Sequence, residues 1–471
     1  MGLLPAQATR WKGGSTNKAV HRSTRVAAAA VALSLFSAAC QGSPGPRSSS
    51  ESGPKPRRIQ SGITTGHVTL TVWDQDVRAA QEAEITKLNR MFERRYPNVT
   101  IHRVARSFFD LKSRLQNAVS GGRLPDVVQV NQGWADMGQL VRAGLLRPLD
   151  GYAHLYHWRG RYPRSLLDFN SFSGDGRRFG EGSLFGLSQE GELVGVYYNK
   201  SRLRSLKLKV PRTLSQFESE LEVAQRAGQV PIQFGNLDKF PGIHEWQALQ
   251  NEFTPPGNLR DLVLGRSDIA FDTEQNLLAA SKLREWVDRG YFARHFEGIG
   301  YDDAWKRFTR GQGLFLITGT WLAEDLDRRM PGNVGFFPMP PQDVAKTPVA
   351  TGGEGLAFAI TDQSRHPNVA AAYIDLLTDA LAERVIIAAG GLPAMSFPSR
   401  HIPTGSPLHE IFAAWRTISK HNGVVPYLDY ATPTFYGTIT AGVQNLMSGL
   451  ESPKRFLDTL QENYTTFQGL R

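Results

Sequence analysis

The stretch Leu124–Asp150, LPDVVQVNQGWADMGQLVRAGLLRPLD, decides how the rest of the chain is read. Pro125 and Asp126 introduce Val127-Val128-Gln129-Val130, a short, mostly β-branched apolar run of the kind a buried strand requires. That run opens into Asn131-Gln132-Gly133-Trp134. A helix is then marked by Met137, Leu140, Val141 and Leu145 at helical spacing, with Gly144 placed to close it. In open α/β sheets ligands bind in the crevice beyond the carboxyl ends of strands, so side-chain amides and a flat ring stand at the favoured place. Those groups suit a sugar.

Working outward, Val68–Trp73 alternates like a first strand and ends in Asp74-Gln75-Asp76. Ala79–Tyr96 sets Ile85, Leu88, Phe92 and Tyr96 along one helical face, and Pro97-Asn98 stops it before the strand Val99–Val104. Strand, helix and strand at this spacing form a βαβ unit, which implies parallel pairing and a right-handed crossover. Phe109–Val119 reads as a further helix. Downstream, Thr213 or Ser215 caps a helix running through Ala227, and Thr273–Arg289 forms another with Leu277, Leu278, Leu283 and Trp286. Val334–Pro341 reads as an edge strand ending in prolines, and a final helix is expected near Gly442–Met447. His154 and His157 lack a third nearby ligand and are read as loop histidines.

Taken in order from Val68 to the C-terminus, these segments resemble extracellular solute-binding proteins that serve ABC importers, in the carbohydrate group that includes maltose-binding protein. The opening stretch carries the resemblance first. Gly186–Lys200, where Glu190 and Glu192 precede a strand ending in Tyr198-Asn199-Lys200, resembles that family's crossing between lobes. Asp303–Trp321, an aromatic helix, a glycine, an apolar strand and Gly319-Thr320-Trp321, is its most specific segment. Thr351–Ile360 resembles the returning strand, and Gly390–Pro393 the family's Gly-x-Pro turn.

The resemblance implies an α/β, two-lobed, periplasmic-binding-protein-like fold of class II, with the ligand cleft between lobes joined by a hinge. Residues 67–188 plus 355–402 would form the first lobe, and 189–354 plus 403–471 the second. It implies a binding protein and not an enzyme, without cofactor or metal. A carbohydrate ligand, an oligosaccharide given nine tryptophans, would be delivered to ABC permease subunits with a cytoplasmic ATPase. A monomer is expected. The candidate ligand contacts are Trp73, Asp74, Gln75 and Asp76 after the first strand; Asn131, Gln132 and Trp134; Glu190 and Glu192; Trp246, Trp305, Thr320 and Trp321; and Gly353, Glu354 and Tyr427. Amides and carboxylates pair hydroxyls, while an aromatic face matches the C–H face of a pyranose. Asn131, Glu190 and Trp321 are expected to face one cavity. The alternatives are the same fold holding a non-sugar solute such as a glycerophosphodiester, an exported glycoside hydrolase built on paired carboxylates, and a surface protein for adhesion or sensing.

The formal charge of +10 invites a nucleic-acid reading. However, Arg10, Lys12, Lys18, Arg22 and Arg25 stand in the first 39 residues, which hold no Asp or Glu, and their removal leaves +5 without basic tracts. Those charges, the apolar run Val26–Phe36 and the small residues Ser37-Ala38-Ala39 make a signal peptide over residues 1–39. Cys40, the single cysteine, follows them as in a bacterial lipobox, and lipidation there would hold the exported chain on the outer face of the cytoplasmic membrane. Residues 40–66, rich in Pro, Gly and Ser, are expected to be a disordered tether.

Overall fold

The first strand, Val68–Asp74, is flanked by the two strands that follow it in the chain, Val99–Ala105 on one side and Val127–Val130 on the other. The computed structural model describes residues 55–60, 66–266, 270–395, 402 and 404–470. Both pairings are parallel. A parallel return needs a crossover, and helices Ala79–Arg95 and Phe108–Val119 supply the two. Ile85, Leu88 and Phe92, at helical spacing on the first of these, are fully buried in one core with Leu70 and Val72. A fourth strand, Ala357–Ile360, arrives from far along the chain and pairs antiparallel to Val127–Val130.

A second sheet is built on Gly191–Asn199, whose nine residues are all buried. Its order is Val424–Val425, Ala350–Glu354, Gly191–Asn199, Phe315–Gly319, with Val334–Phe337 also pairing to the long strand. The chain passes between the sheets along bonded neighbours. Leu187 bridges Phe358, the Gly355 N–H donates to the Glu190 carbonyl at 2.9 Å, and Gly191 and Glu192 pair with Glu354 and Gly353. A third pass joins them, since the Gly191 N–H donates to the Leu392 carbonyl at 2.6 Å and the Ala394 N–H to the Gln189 carbonyl at 3.0 Å. Two sheets linked in this way give the two-lobed α/β architecture.

Local signals place most helices. Thr213 and Thr273 accept from the backbone N–H groups of Gln216 and Asn276, capping Leu214–Arg226 and Glu274–Asp288. Leu278 is half exposed and does not join the core of its helix. The helix Pro453–Gln468 lies beyond the segment expected to be last; Phe456, Leu457, Leu460 and Tyr464 are its buried stripe. Residues 1–39 and Cys40 lie outside the described residues. Within the expected tether, residues 55–60 are seated on the body: the Arg57 N–H donates to Asn368 Oδ1 at 3.1 Å, Arg58 bonds the Leu155 carbonyl at 2.7 Å, and Ile59 packs on the first core. No helix among the described residues is long and apolar enough to cross a membrane.

Helix Phe240–Phe253 is buried on nearly every side. Its Glu245 is inaccessible, and neither carboxylate oxygen has a hydrogen-bond partner. Burial pushes the Glu245 carboxyl well above its ordinary range, so the folded chain keeps a proton that the unfolded chain releases above about pH 4.5. Its contribution to stability is therefore full below that pH and declines as pH rises toward the folded value. Glu245→Gln is expected to flatten the decline, so its melting temperature changes less between about pH 5 and pH 8 than that of the parent chain. Parallel melting curves across that range would refute the assignment.

Candidate functional site

Beyond the carboxyl ends of the strands lies a cavity of about 640 Å³, within the usual range for small-molecule sites. Gln75, Arg78, Phe108, Phe109 and Asn131 line it from the first lobe, while Phe240, His244, Tyr301, Trp305 and Trp321 line it from the second. Glu192, Glu354, Tyr427, Asp429 and Tyr430 form the part next to the crossing strands.

Of the four residues expected from the first strand end, only Gln75 reaches this cavity. Asp74 is wholly buried and bound by Arg103 of the neighbouring strand, whose Nε and Nη2 each lie 2.6 Å from its oxygens. Arg103 also donates to the Asp76 carbonyl at 2.7 Å and to Glu82 at 2.7 Å, which turns the loop inward. Asp76 is buried, with Gln129 Nε2 at 3.3 and 3.4 Å from its oxygens; burial, then the nearby Asp74, raise its pKa. Trp73 lies beside Arg106, whose guanidinium is 5.1 Å from its ring centre.

The loop after Val130 divides in the same manner. Asn131 faces the cavity, its Nδ2 3.2 Å from Asp136 and 3.5 Å from Asp429, its Oδ1 accepting from the Tyr430 hydroxyl at 3.3 Å. Gln132 is buried behind it, bonding the Gly355 carbonyl at 2.8 Å and the Tyr430 hydroxyl at 3.1 Å. Trp134 is a core residue, wedged among Phe172, Phe179 and Phe467, the last from the unexpected C-terminal helix. Trp246 is core as well, edge-on to Phe456 at 4.8 Å. An indole that suits a sugar face suits a hydrophobic core equally, so sequence does not separate the two.

Trp321 and Trp305 both line the cavity. Gly319 serves Trp321 directly, because a Cβ there would stand 1.9 Å from the indole. The missing side chain at Gly319 makes room for this ring. Trp321 Nε1 donates to the Tyr301 hydroxyl at 2.6 Å, and its ring sits 5.5 Å from that of His244. Trp305 donates to Asp302 at 2.9 Å and lies between Lys306 and Arg329. Thr320 accepts the Leu193 N–H at 3.1 Å and borders a separate recess of about 20 Å³, room for a single water. Glu190 lies in that recess with Gln81, Glu84 and Trp321, held by Gln81 Nε2 at 3.1 Å. Asn131 and Trp321 thus share the large cavity, whereas Glu190 stands behind it. Gly353 is pressed against Phe169 and lies outside both.

Sequence reasoning missed Arg78, Phe108, Phe109, Phe240, His244, Tyr301 and Asp429. Phe108 and Phe109 carried a usable signal, since successive residues in the first turn of a helix cannot both face its core. The others come from distant segments, and nothing in their spacing marks them.

The cavity's polar groups are shaped by burial. Burial, reinforced by Glu190, pushes the Glu192 carboxyl up to about 8, and the Tyr427 hydroxyl donates to it at 3.1 Å. Burial raises Glu354 as well, although Asn170 Nδ2 at 2.6 Å and the Ser188 N–H at 3.2 Å donate to it. Burial lifts Asp429 to about 6 and drops His244 to about 4, so the imidazole is neutral near pH 7. Flat rings, amides and protonatable carboxyls together can hold a hydroxyl-rich molecule by stacking and hydrogen bonding. No group of three or more His, Cys, Asp or Glu among the described residues is placed to hold a metal ion.

Residues 71–382 match the family model described as bacterial extracellular solute-binding protein. A multiple sugar-binding protein of Streptococcus mutans is 23% identical over 332 residues, covering 69% of this chain and 74% of its own. Among solved structures, a chitin oligosaccharide binding protein superposes with TM-score 0.74 at 19% identity, covering 86% of this chain and 99% of its own. RafE, solved in complex with raffinose, gives 0.68 at 18% identity, covering 85% and 99%. At these identities the structural likeness establishes the shared fold.

The Asp74–Arg103 pair gives a test of how the first strand end is used. Asp74→Ala leaves an Arg103 side chain that is only 14% exposed without its principal counter-charge, so the unliganded protein is expected to lose about 3 kcal/mol in denaturant unfolding. A change within about 0.5 kcal/mol, as at an ordinary surface position, would show instead that Asp74 is free of structural duty.

Proposed function

Since this chain belongs to the bacterial extracellular solute-binding protein family, we propose that it captures a sugar, an oligosaccharide in particular, and delivers it to an ABC permease by closure of its lobes. The observation that carries this reading is the shared cavity, which the rings of Trp321, Trp305, Tyr427 and Tyr430 line beside Asn131, Glu192 and Glu354. A pyranose presents a C–H face to such rings and hydroxyls at its edge to such acceptors. A volume of about 640 Å³ has space for more than one sugar ring. The relatives named for multiple sugars, chitin oligosaccharide and raffinose support the same class.

In this reading the chain binds without transforming its ligand. The first lobe comprises residues 67–188 plus 355–402 and the second 189–354 plus 403–471, with the bonded passes near Glu190 and Gly353 acting as the hinge. Ligand contacts from both lobes favour the closed state, which the permease recognises. Cys40 carries the lipid that keeps the exported monomer on the outer face of the cytoplasmic membrane, close to its permease.

The test is a thermal-shift screen over mono- and oligosaccharides, because a ligand that binds only the folded form raises its melting temperature. Trp321→Ala is expected to weaken the best ligand by about 2 kcal/mol, roughly thirtyfold in Kd, while the unliganded melting point moves little. A large fall in the unliganded melting point would place Trp321 in the framework. A screen without any stabilising sugar would end the proposal.

A further inference from the structure

The chain carries a surplus of cations, net +10, yet seven Asp and Glu side chains line the cavity against three Lys and Arg. Those three cations are gathered around Tyr301 and Trp305: Arg78 lies 3.8 Å from Asp302 and over the Tyr301 ring, and Lys306 and Arg329 flank Trp305. Next to the crossing strands stand Glu192, Glu354 and Asp429, respectively 8%, 2% and 7% exposed. Among the described residues none of the three makes an ion pair.

All three line the cavity, Glu354 with each oxygen accepting one protein hydrogen bond, from Asn170 and from the Ser188 N–H. Glu192 Oε2 accepts from Tyr427, while its Oε1 has no donor among the described residues. Asp429 has one long side-chain bond, 3.5 Å from Asn131 Nδ2. The Tyr430 hydroxyl lies in the combined field of Asp429, Glu192, Glu354 and Asp136. The nearby Lys112 is already bound by both oxygens of Asp136, and Arg78 is engaged by Asp302. A neutral hydroxyl donates to one acceptor, and its oxygen lone pairs ask for donors in return. Three buried acceptors facing one space match a group with several donors and no lone pair, which among sugar substituents is a protonated amine.

Resting on the sugar-binding reading, we propose that the ligand is an amine-bearing saccharide whose ammonium group is held among Glu192, Glu354 and Asp429. The amine provides a counter-charge to these carboxylates. Their raised pKa values, about 8 for Glu192 and about 6 for Asp429, are what buried carboxylates without a cation adopt. The rings of Tyr427 and Trp321 remain available to the sugar faces.

Calorimetric titration of the full chain decides the matter, using glucosamine, galactosamine and mannosamine and their oligomers, the N-acetylated forms, and the neutral sugars with a hydroxyl in place of the amine. At least one free amine is expected to bind roughly ten- to a hundredfold more tightly than both counterparts, the worth of a charge-assisted hydrogen bond. Glu192→Gln is expected to remove most of that preference, and Asp429→Asn provides a second variant should the first fold poorly. A neutral sugar that binds as tightly as its amine counterpart overturns the proposal and leaves sugar capture standing. Failure of every amine-bearing sugar also overturns it, and failure of every sugar overturns both.

Discussion

The pairing of Gly191 and Glu192 with Glu354 and Gly353 sets the relation between everything else in this molecule. Two outgoing and returning strands that hydrogen-bond to each other at the passage between sheets tie the lobes at one edge. The opposite edge is left to open or shut. The pairing demands small residues. Gly352 and Gly353 have φ of 154° and 138°, and a Cβ on Gly352 would lie 2.0 Å from the Glu192 carbonyl oxygen. Glu192 and Glu354, on the two crossing strands, both line the cavity.

Placing carboxyls there has an energetic cost that the fold bears through hydrogen bonds. Asn170, Ser188 and Tyr427 donate to Glu354 and Glu192, but a bond from a neutral donor does not repay the removal of a charge from water. Burial answers by raising the proton affinity of both carboxyls. Asp74 shows the contrasting solution, because Arg103 gives it a bidentate partner within its own sheet. One acid is spent on structure, and the others stay available to a ligand.

Across the mouth of the cavity the lobes touch lightly. Phe108 and Phe109 lie 6.4 and 6.0 Å from Phe240, and the Arg78–Asp302 pair is long, with Asp302 more than half exposed. Exposed pairs of this sort contribute about 0–1 kcal/mol and aromatic edges about 1 kcal/mol. Contacts so weak cost little to break.

Elements governed by neighbours in the chain were legible from the sequence. The helical spacing of Ile85, Leu88 and Phe92, the caps Thr213 and Thr273, and the β-branched run Val127–Val130 each depend on contacts a few residues away or on simple burial. Together they determined alternating strands and helices, hence parallel pairing, and strand ends as the place to look for polar residues; Gln75 and Asn131 follow from that rule, whereas Glu192 and Glu354 come from the resemblance of the crossing strands. Tertiary structure alone decided which polar group faces the cavity and which is consumed inside. Arg103 captures Asp74 because the strand register brings them close, and Phe467 and Phe456 bury Trp134 and Trp246 because the C-terminal helix folds back over them. Such partners are separated by tens to hundreds of residues, and an aromatic or a carboxylate has the same chemistry in either setting until its surroundings choose for it.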